Sequence, residues 1–199
     1  MGEISVLRGL LLRDRSIRRF DQQSVSVEML MDLVDLTRYC ASGRNAQPLV
    51  YAVVNQRSLL DAVFPALKWA GYYEDWDGPS VGERPMAYII QALDTEIVTN
   101  PLCDDGLQLQ AITLGATAYG LGACIIKSFD ATVIREVFGL SDNIKPLYVL
   151  ALGYPAEKSV IVDQQSRDDI RYYRDGDDMQ CVPKRPLKDI ILSVNNYGI

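Results

Sequence analysis

Gly120-Leu121-Gly122-Ala123-Cys124-Ile125-Ile126-Lys127 is the stretch on which the fold turns. Two glycines two apart suggest a dinucleotide fingerprint, but that fingerprint needs a third glycine in register, follows a strand and opens a helix. Here no third glycine follows, and residues 123–127 read as a strand entered from the glycine turn. Before the turn, residues 104–119 carry Leu107, Ala111, Leu114, Gly115 and Ala118, the pattern of a largely buried helix with a close-packing seam, suited to a core or to a dimer contact. The order helix, glycine turn, strand argues against a Rossmann unit.

Outward from this point, helices and strands interleave. Asp130 reads as the N-cap of a helix with Phe129 placed to staple Ile134, and residues 146–152 read as a strand. On the other side, 86–93 is a strand bounded by Pro85, 59–67 is helical and 49–54 is β-rich. Between them, Trp69-Ala70-Gly71-Tyr72-Tyr73-Glu74-Asp75-Trp76-Asp77-Gly78-Pro79 has too many Gly, Pro and Asp for a regular element and too many rings for an idle linker, which predicts a lid or interface element. Ser26 caps a helix that runs through Leu33, Val34 and Leu36 towards Tyr39, with Val25 and Leu30 as its staple. Ile4, Leu7, Leu10 and Leu11 recur at helical spacing in an opening helix ending near Arg13. Residues 157–183 are polar and read as irregular, and 187–194 as a last strand. No repeat or domain boundary is evident, so a single domain over 1–199 is expected.

With 48% hydrophobic and 23% charged residues in 199, the chain can bury a core. No apolar run reaches the roughly 18 residues of a spanning helix, and Glu3 stands where a basic signal region would begin, so a cytoplasmic protein is expected, with no membrane partner. Cys40, Cys103, Cys124 and Cys181 form no C-x-x-C pair, which indicates neither disulfides nor a zinc site. The absence of histidine removes Ser-His-Asp and Cys-His nucleophile systems and most transition-metal sites. A net charge of −6 opposes nucleic acid as a ligand.

Arg13, Arg15, Arg18 and Arg19 crowd into seven residues of this acidic chain, with Ser16 among them. Convergent guanidinium groups and a hydroxyl suit a phosphate dianion, although basic residues at a helix carboxyl end also complement its dipole and can simply be solvated. The loop Ser42-Gly43-Arg44-Asn45-Ala46-Gln47-Pro48 sets small and amide residues before a strand, able to meet the edges of a planar heterocycle or to form an ordinary turn. Lys184 and Arg185, between Pro183 and Pro186, form a second basic point, for which solvation is the plainer reading.

In this order, Arg15-Ser16-Ile17-Arg18-Arg19-Phe20, the 42–48 loop, the 120–124 turn, Gly153-Tyr154-Pro155 and Pro183-Lys184-Arg185-Pro186-Leu187 resemble the nitroreductase-like family of FMN-dependent oxidoreductases over nearly the whole chain. The resemblance implies an α+β fold with a mixed, mainly antiparallel central sheet flanked by helices, in an intertwined homodimer. It implies FMN held by Arg15, Ser16 and Arg18 at the phosphate and pyrimidine side, with Arg185 and Lys184 completing the phosphate site. Ser42, Asn45 and Gln47 would approach from the partner subunit. Cys124, Ile125, Ile126 and Lys127 would lie along the ring, with a main-chain N–H near Lys127 donating to flavin N5, and Lys68 or Trp69 could touch it. Asp14 stands where many members carry a basic residue, and Lys127 near a position where many have glycine.

The activity so implied is ping-pong transfer of hydride from NAD(P)H through flavin N5 to a nitroaromatic, quinone or similar acceptor, with Arg18 and Lys127 in the catalytic roles. A flavin enzyme draws little acid–base chemistry from its protein, so the lack of histidine is no obstacle. Reductive dehalogenation, enone reduction or flavin fragmentation on the same scaffold, a flavin-storing or redox-sensing module, and a cofactor-free α+β domain are the competing readings.

Overall fold

The computed structural model describes residues 2–195, in two compact units that part after Glu157. The first contains α1 (Glu3–Arg13), β1 (Phe20–Asp21), α2 (Val27–Asp35), β2 (Leu49–Val54), α3 (Arg57–Val63), β3 (Ala87–Asp94), α4 (Asp104–Ala118), β4 (Gly122–Ile126), α5 (Ala131–Phe138) and β5 (Ile144–Pro155). The sheet runs β2-β3-β5, and β5 also carries β4 and, at its far end, β1, every pair antiparallel. The expected mainly antiparallel sheet flanked by helices is therefore formed. Only β1, two residues long, escaped the sequence, since so short a strand has no periodicity to read.

Val149-Leu150-Ala151-Leu152 shows no alternation because β5 has a helical layer on each face. Leu150 and Leu152 pack with Ile89, Leu33 and Ile112 on the α2/α4 side, and Val149 and Ala151 with Ile90, Val63 and Ile134 on the α3/α5 side. Both core clusters meet at the sheet, so β4, lying on β5, has one face towards each.

The helix starts follow their capping signals. The Ser26 Oγ accepts from the Met29 N–H at 3.3 Å, and the Asp130 carboxylate accepts from the N–H groups of Thr132 at 2.9 Å and Val133 at 3.3 Å. The Asp130→Ala variant should lose about 1 kcal/mol, read as a lower urea midpoint at unchanged slope. Helix ends were less legible. The helix expected to reach Tyr39 leaves α geometry after Asp35 and closes as a 3-10 turn, Leu36–Tyr39. The one expected over 59–67 ends at Val63 and tightens into the turn Phe64–Ala66, because Pro65 has no N–H for the α ladder.

The second unit corrects two expectations. The stretch read as irregular contains β6 (Ser159–Asp163), β7 (Tyr173–Arg174) and β8 (Gln180–Lys184), ordered β6-β8-β7 with β6 and β8 parallel. Pro183 is tolerated in the middle strand because β7 pairs only with Gln180 and Cys181, leaving the chain at Pro183 as an edge on that side. Conversely, 187–194 is not a strand. Leu187–Asp189 forms a 3-10 turn after Pro186, and an apolar run without a partner strand has nothing to pair its backbone with.

Beneath α4 lies a polar patch in the core. Fully buried Gln91 donates to the Tyr51 hydroxyl at 3.1 Å, which donates in turn to Gln108 of α4. Burial pushes the Tyr51 phenol up to about 12. A phenol that ionises near 10 when unfolded then contributes stability fully below pH 10 and loses it as the pH rises towards 12, a span of about 2–3 kcal/mol. Urea midpoints should fall across that window, and fall less in Tyr51→Phe. Among the described residues no helix is long and apolar enough to cross a membrane.

Candidate functional site

The two glycines of the 120–124 turn have separate jobs. Gly120, at φ +76°, ends α4: the Leu121 N–H reaches the Ala116 carbonyl at 2.8 Å and the Gly120 N–H that of Thr117 at 3.1 Å, the paired bonds of a Schellman motif. Gly122 lies against Ile17, where an added Cβ would stand 2.7 Å from the Ile17 Cβ and Cγ1. That closeness lets the Ile17 N–H donate to the Ala123 carbonyl at 3.0 Å, with Ser16 and Ala123 bridged in parallel. The basic stretch 15–19 is thereby laid along the outer edge of β4.

Within that stretch the Arg15 Nη2 donates to the Leu11 carbonyl at the end of α1, at 2.8 Å, while its Nε is buried with no hydrogen-bond partner. The main-chain N–H groups of Arg18 and Arg19 both donate to Glu157 Oε1, and the Arg18 guanidinium leans on the Ser16 carbonyl at 3.4 Å. Ser16 is exposed, as is Arg13. Asp14 does not oppose an anion there: its Oδ2 is engaged by Gln110 at 2.6 Å and Thr113 at 2.7 Å, turned towards α4.

Strand β4 divides its side chains between two faces. Cys124 and Ile126 are buried in the α3/α5 core, and burial pushes the Cys124 thiol up, so their side chains are closed to a ligand. Ile125 and Lys127 point the other way and are exposed, with the Lys127 ammonium 5.3 Å from the centre of the Tyr148 ring. The alternation that sends the Ala123 carbonyl outward to Ile17 also sends the amides of Ile125 and Lys127 to the open edge.

The loop 42–48 is built elsewhere. Arg44, Asn45 and Gln47 adopt φ of +57°, +56° and +51°, a left-handed region that costs a non-glycine residue about 1 kcal/mol or more. The buried Asp104 holds this shape, accepting from the Ser42 hydroxyl at 2.6 Å and the Gly43 N–H at 2.8 Å, while the Ser42 oxygen accepts from the Gln47 N–H at 2.9 Å. Asn45 and Gln47 are exposed. The loop enters β2, at one edge of the sheet, whereas 15–18 lies against β4, at the other, about 14 Å away across three strand spacings. Along α4 the separation is larger, since the loop is tied to its first residue and the glycine turn follows its last, about 20 Å on. One chain thus joins Arg15, Ser16, Arg18 and 124–127, and keeps Ser42, Asn45 and Gln47 apart from them.

Two other predicted places have their own settings. In the second unit Lys184 and Arg185 are exposed, and Arg185 donates to the Asp189 carbonyl. Trp69 is buried against Phe64 and Trp76 at ring separations of 5.9 and 6.4 Å, under Gly78, whose φ is +117°. It anchors the aromatic loop in the α3/α5 core, while Tyr72 is exposed. Asp104 and Glu157 were not foreseen. Asp104 reads in sequence as an ordinary acid in the first turn of a helix, and nothing local ties it to Ser42, 62 residues earlier.

Comparison with known proteins agrees with this architecture. The model of the Nitroreductase family matches residues 12–154. The chain is 26% identical over 164 residues to a Methanothermobacter thermautotrophicus protein provisionally named an NADH dehydrogenase/NAD(P)H nitroreductase, covering 79% of this chain and 81% of that one. It is 26% identical over 165 residues to an FMN reductase (NADPH) of Bacillus subtilis, covering 75% of this chain and 66% of the relative. A crystal structure of a Desulfovibrio desulfuricans protein in complex with FMN superposes with a TM-score of 0.70 over 98% of this chain and 99% of that one, at 21% identity, a likeness of fold.

Proposed function

Because the chain belongs to the nitroreductase family, we propose that it is an FMN-dependent NAD(P)H oxidoreductase that reduces small organic acceptors, such as nitroaromatics or quinones, as a homodimer. The observation that carries this reading is the buried, unpartnered Arg15 Nε beside Ser16 at the open edge of β4. A buried donor without an acceptor is costly, and a phosphate oxygen would satisfy it with a charge-assisted bond.

Bound there, FMN would supply hydride acceptance at N5, from NAD(P)H and then towards the acceptor, in ping-pong order. Arg15 and Ser16 would hold the phosphate. Arg18, its backbone fixed by Glu157, would set a permanent positive charge at the pyrimidine side, the preorganised electrostatic role that lowers barriers most. The outward Lys127 amide would donate towards N5, Ile125 would give the ring an apolar seat, and Cys124 and Ile126 would line the site only as the strand that carries them, bonded to β5 behind the ring. Lys184 and Arg185 are proposed as further phosphate ligands, to be tested by their alanine variants.

The homodimer is supported by the separation of the 42–48 loop from β4, since a second copy could bring its Ser42, Asn45 and Gln47 loop to the first copy's edge. It is also supported by α1, none of whose residues is buried although Ile4, Leu7, Leu11 and Leu12 are apolar. Sedimentation should show two chains per particle.

The purified protein should be yellow, release its flavin on denaturation, and bleach on anaerobic addition of NADH or NADPH, with colour restored by a nitroaromatic or quinone. A colourless protein that takes up no FMN would overturn the assignment. Bleaching orders of magnitude slower than enzymatic turnover would replace it by flavin storage or sensing. Arg18→Ala should slow the bleaching while keeping flavin content.

A further inference from the structure

We infer that Asp104 is a positioning residue for the flavin, and that Ser42 serves it through loop shape, without touching the flavin itself. The inference rests on the proposed FMN site. Both Asp104 carboxylate oxygens are spent on the loop, one on the Ser42 hydroxyl and one on the Gly43 N–H. The Ser42 oxygen is spent as well: its proton goes to Asp104 and it accepts from the Gln47 N–H. A hydroxyl so engaged has little left for a ligand.

What the arrangement presents outward is the segment Arg44, Asn45, Gln47, each in the left-handed region and each exposed. Such a shape does not persist unaided in non-glycine residues, so it must be over-determined by its surroundings. Gly43 adds to this, since its Cα lies so close to Leu102 that a Cβ would stand 2.7 Å from the Leu102 Cδ1. Asp104 in turn is placed by the first turns of α4, which are pinned from below: Gln91 donates to the Asp105 carbonyl at 3.3 Å, and Tyr51 to Gln108. Core, helix start and loop form one chain of contacts ending at two amides.

The test compares Asp104→Asn with Asp105→Asn, which removes the same charge one residue on, where the Asp105 carboxylate accepts from the neighbouring Gly106 N–H at 2.7 Å and not from the loop. Two readouts are taken on the full chain: FMN affinity of the apoprotein by flavin fluorescence, and, with no flavin present, the rate of tryptic cleavage after Arg44. Asp104→Asn should bind FMN about tenfold more weakly and be cut at Arg44 several-fold faster, with Asp105→Asn close to wild type on both. Ser42→Ala should follow Asp104→Asn, and stands in for it if that variant does not fold. If either readout is the same in Asp104→Asn and Asp105→Asn, the inference is wrong. If wild type itself takes up no FMN, the function proposed above fails and this role fails with it, whereas weakened binding confined to the variants leaves that function standing.

Discussion

Arg15→Ala apoprotein is expected to bind FMN at least about a hundredfold more weakly than wild type while unfolding at nearly the same urea concentration. Two charge-assisted bonds to a phosphate, at about 1.5–3 kcal/mol each, account for the loss of affinity. Stability hardly moves because two changes oppose each other. The variant gives up the bond from Nη2 to the Leu11 carbonyl, and it also removes a buried Nε that has no acceptor in the apoprotein. Arg15→Lys should recover only part of the affinity, since an ammonium cannot present the guanidinium fork. Titration calorimetry with FMN and urea unfolding together check this. Equal affinity in Arg15→Ala would remove Arg15 from the site.

Gly122→Ala should have the largest effect on the fold and the site together. The new Cβ would stand 2.7 Å from the Cβ and Cγ1 of Ile17 and 2.9 Å from its Cγ2, and no rotamer change moves that Ile17 Cβ, which the backbone fixes. Ile17 is buried and tied to Ala123, so relief requires the 15–18 stretch to lift from β4. Overpacking of this kind costs about 3 kcal/mol, a fall in Tm of roughly 10 °C for a chain this size, with FMN affinity lost alongside. Gly71→Ala, where an added Cβ meets nothing within 4 Å, should leave both unchanged. A Gly122→Ala protein with wild-type Tm and affinity would show that Ile17 is not held as described.

These residues also mark how far a sequence can be read unaided. Gly120-Leu121-Gly122 was legible as a turn before a strand, because both its glycines and the apolar run after it are local signals. Why the second glycine is there was not, since Ile17 lies 105 positions earlier and only β5, by gathering β1 and β4, brings the two together. Ser26 and Asp130 announced their helices through bonds within three residues. Leu187, Ile190, Ile191 and Leu192 misled for the opposite reason: composition alone promised a strand, but a strand exists only where a neighbour accepts its backbone bonds. The basic cluster at 13–19 was visible as a charge anomaly, whereas Asp104 and Glu157 act at sequence separations of 62 and 139 and were invisible for that reason.

The central strand β5 has a consequence for how the chain is born. Phe20 pairs with Pro155, and the main-chain N–H groups of Arg18 and Arg19 donate to Glu157, so these particular contacts form only when the end of the first unit is available. At typical translation speeds of about 5–20 residues per second, the Arg18 and Arg19 amides wait on the order of ten seconds for that carboxylate. Contacts so distant in sequence close late and slowly. A nascent chain halted before β5 should therefore expose its cationic arm to protease, and acquire resistance in a single step once that strand emerges.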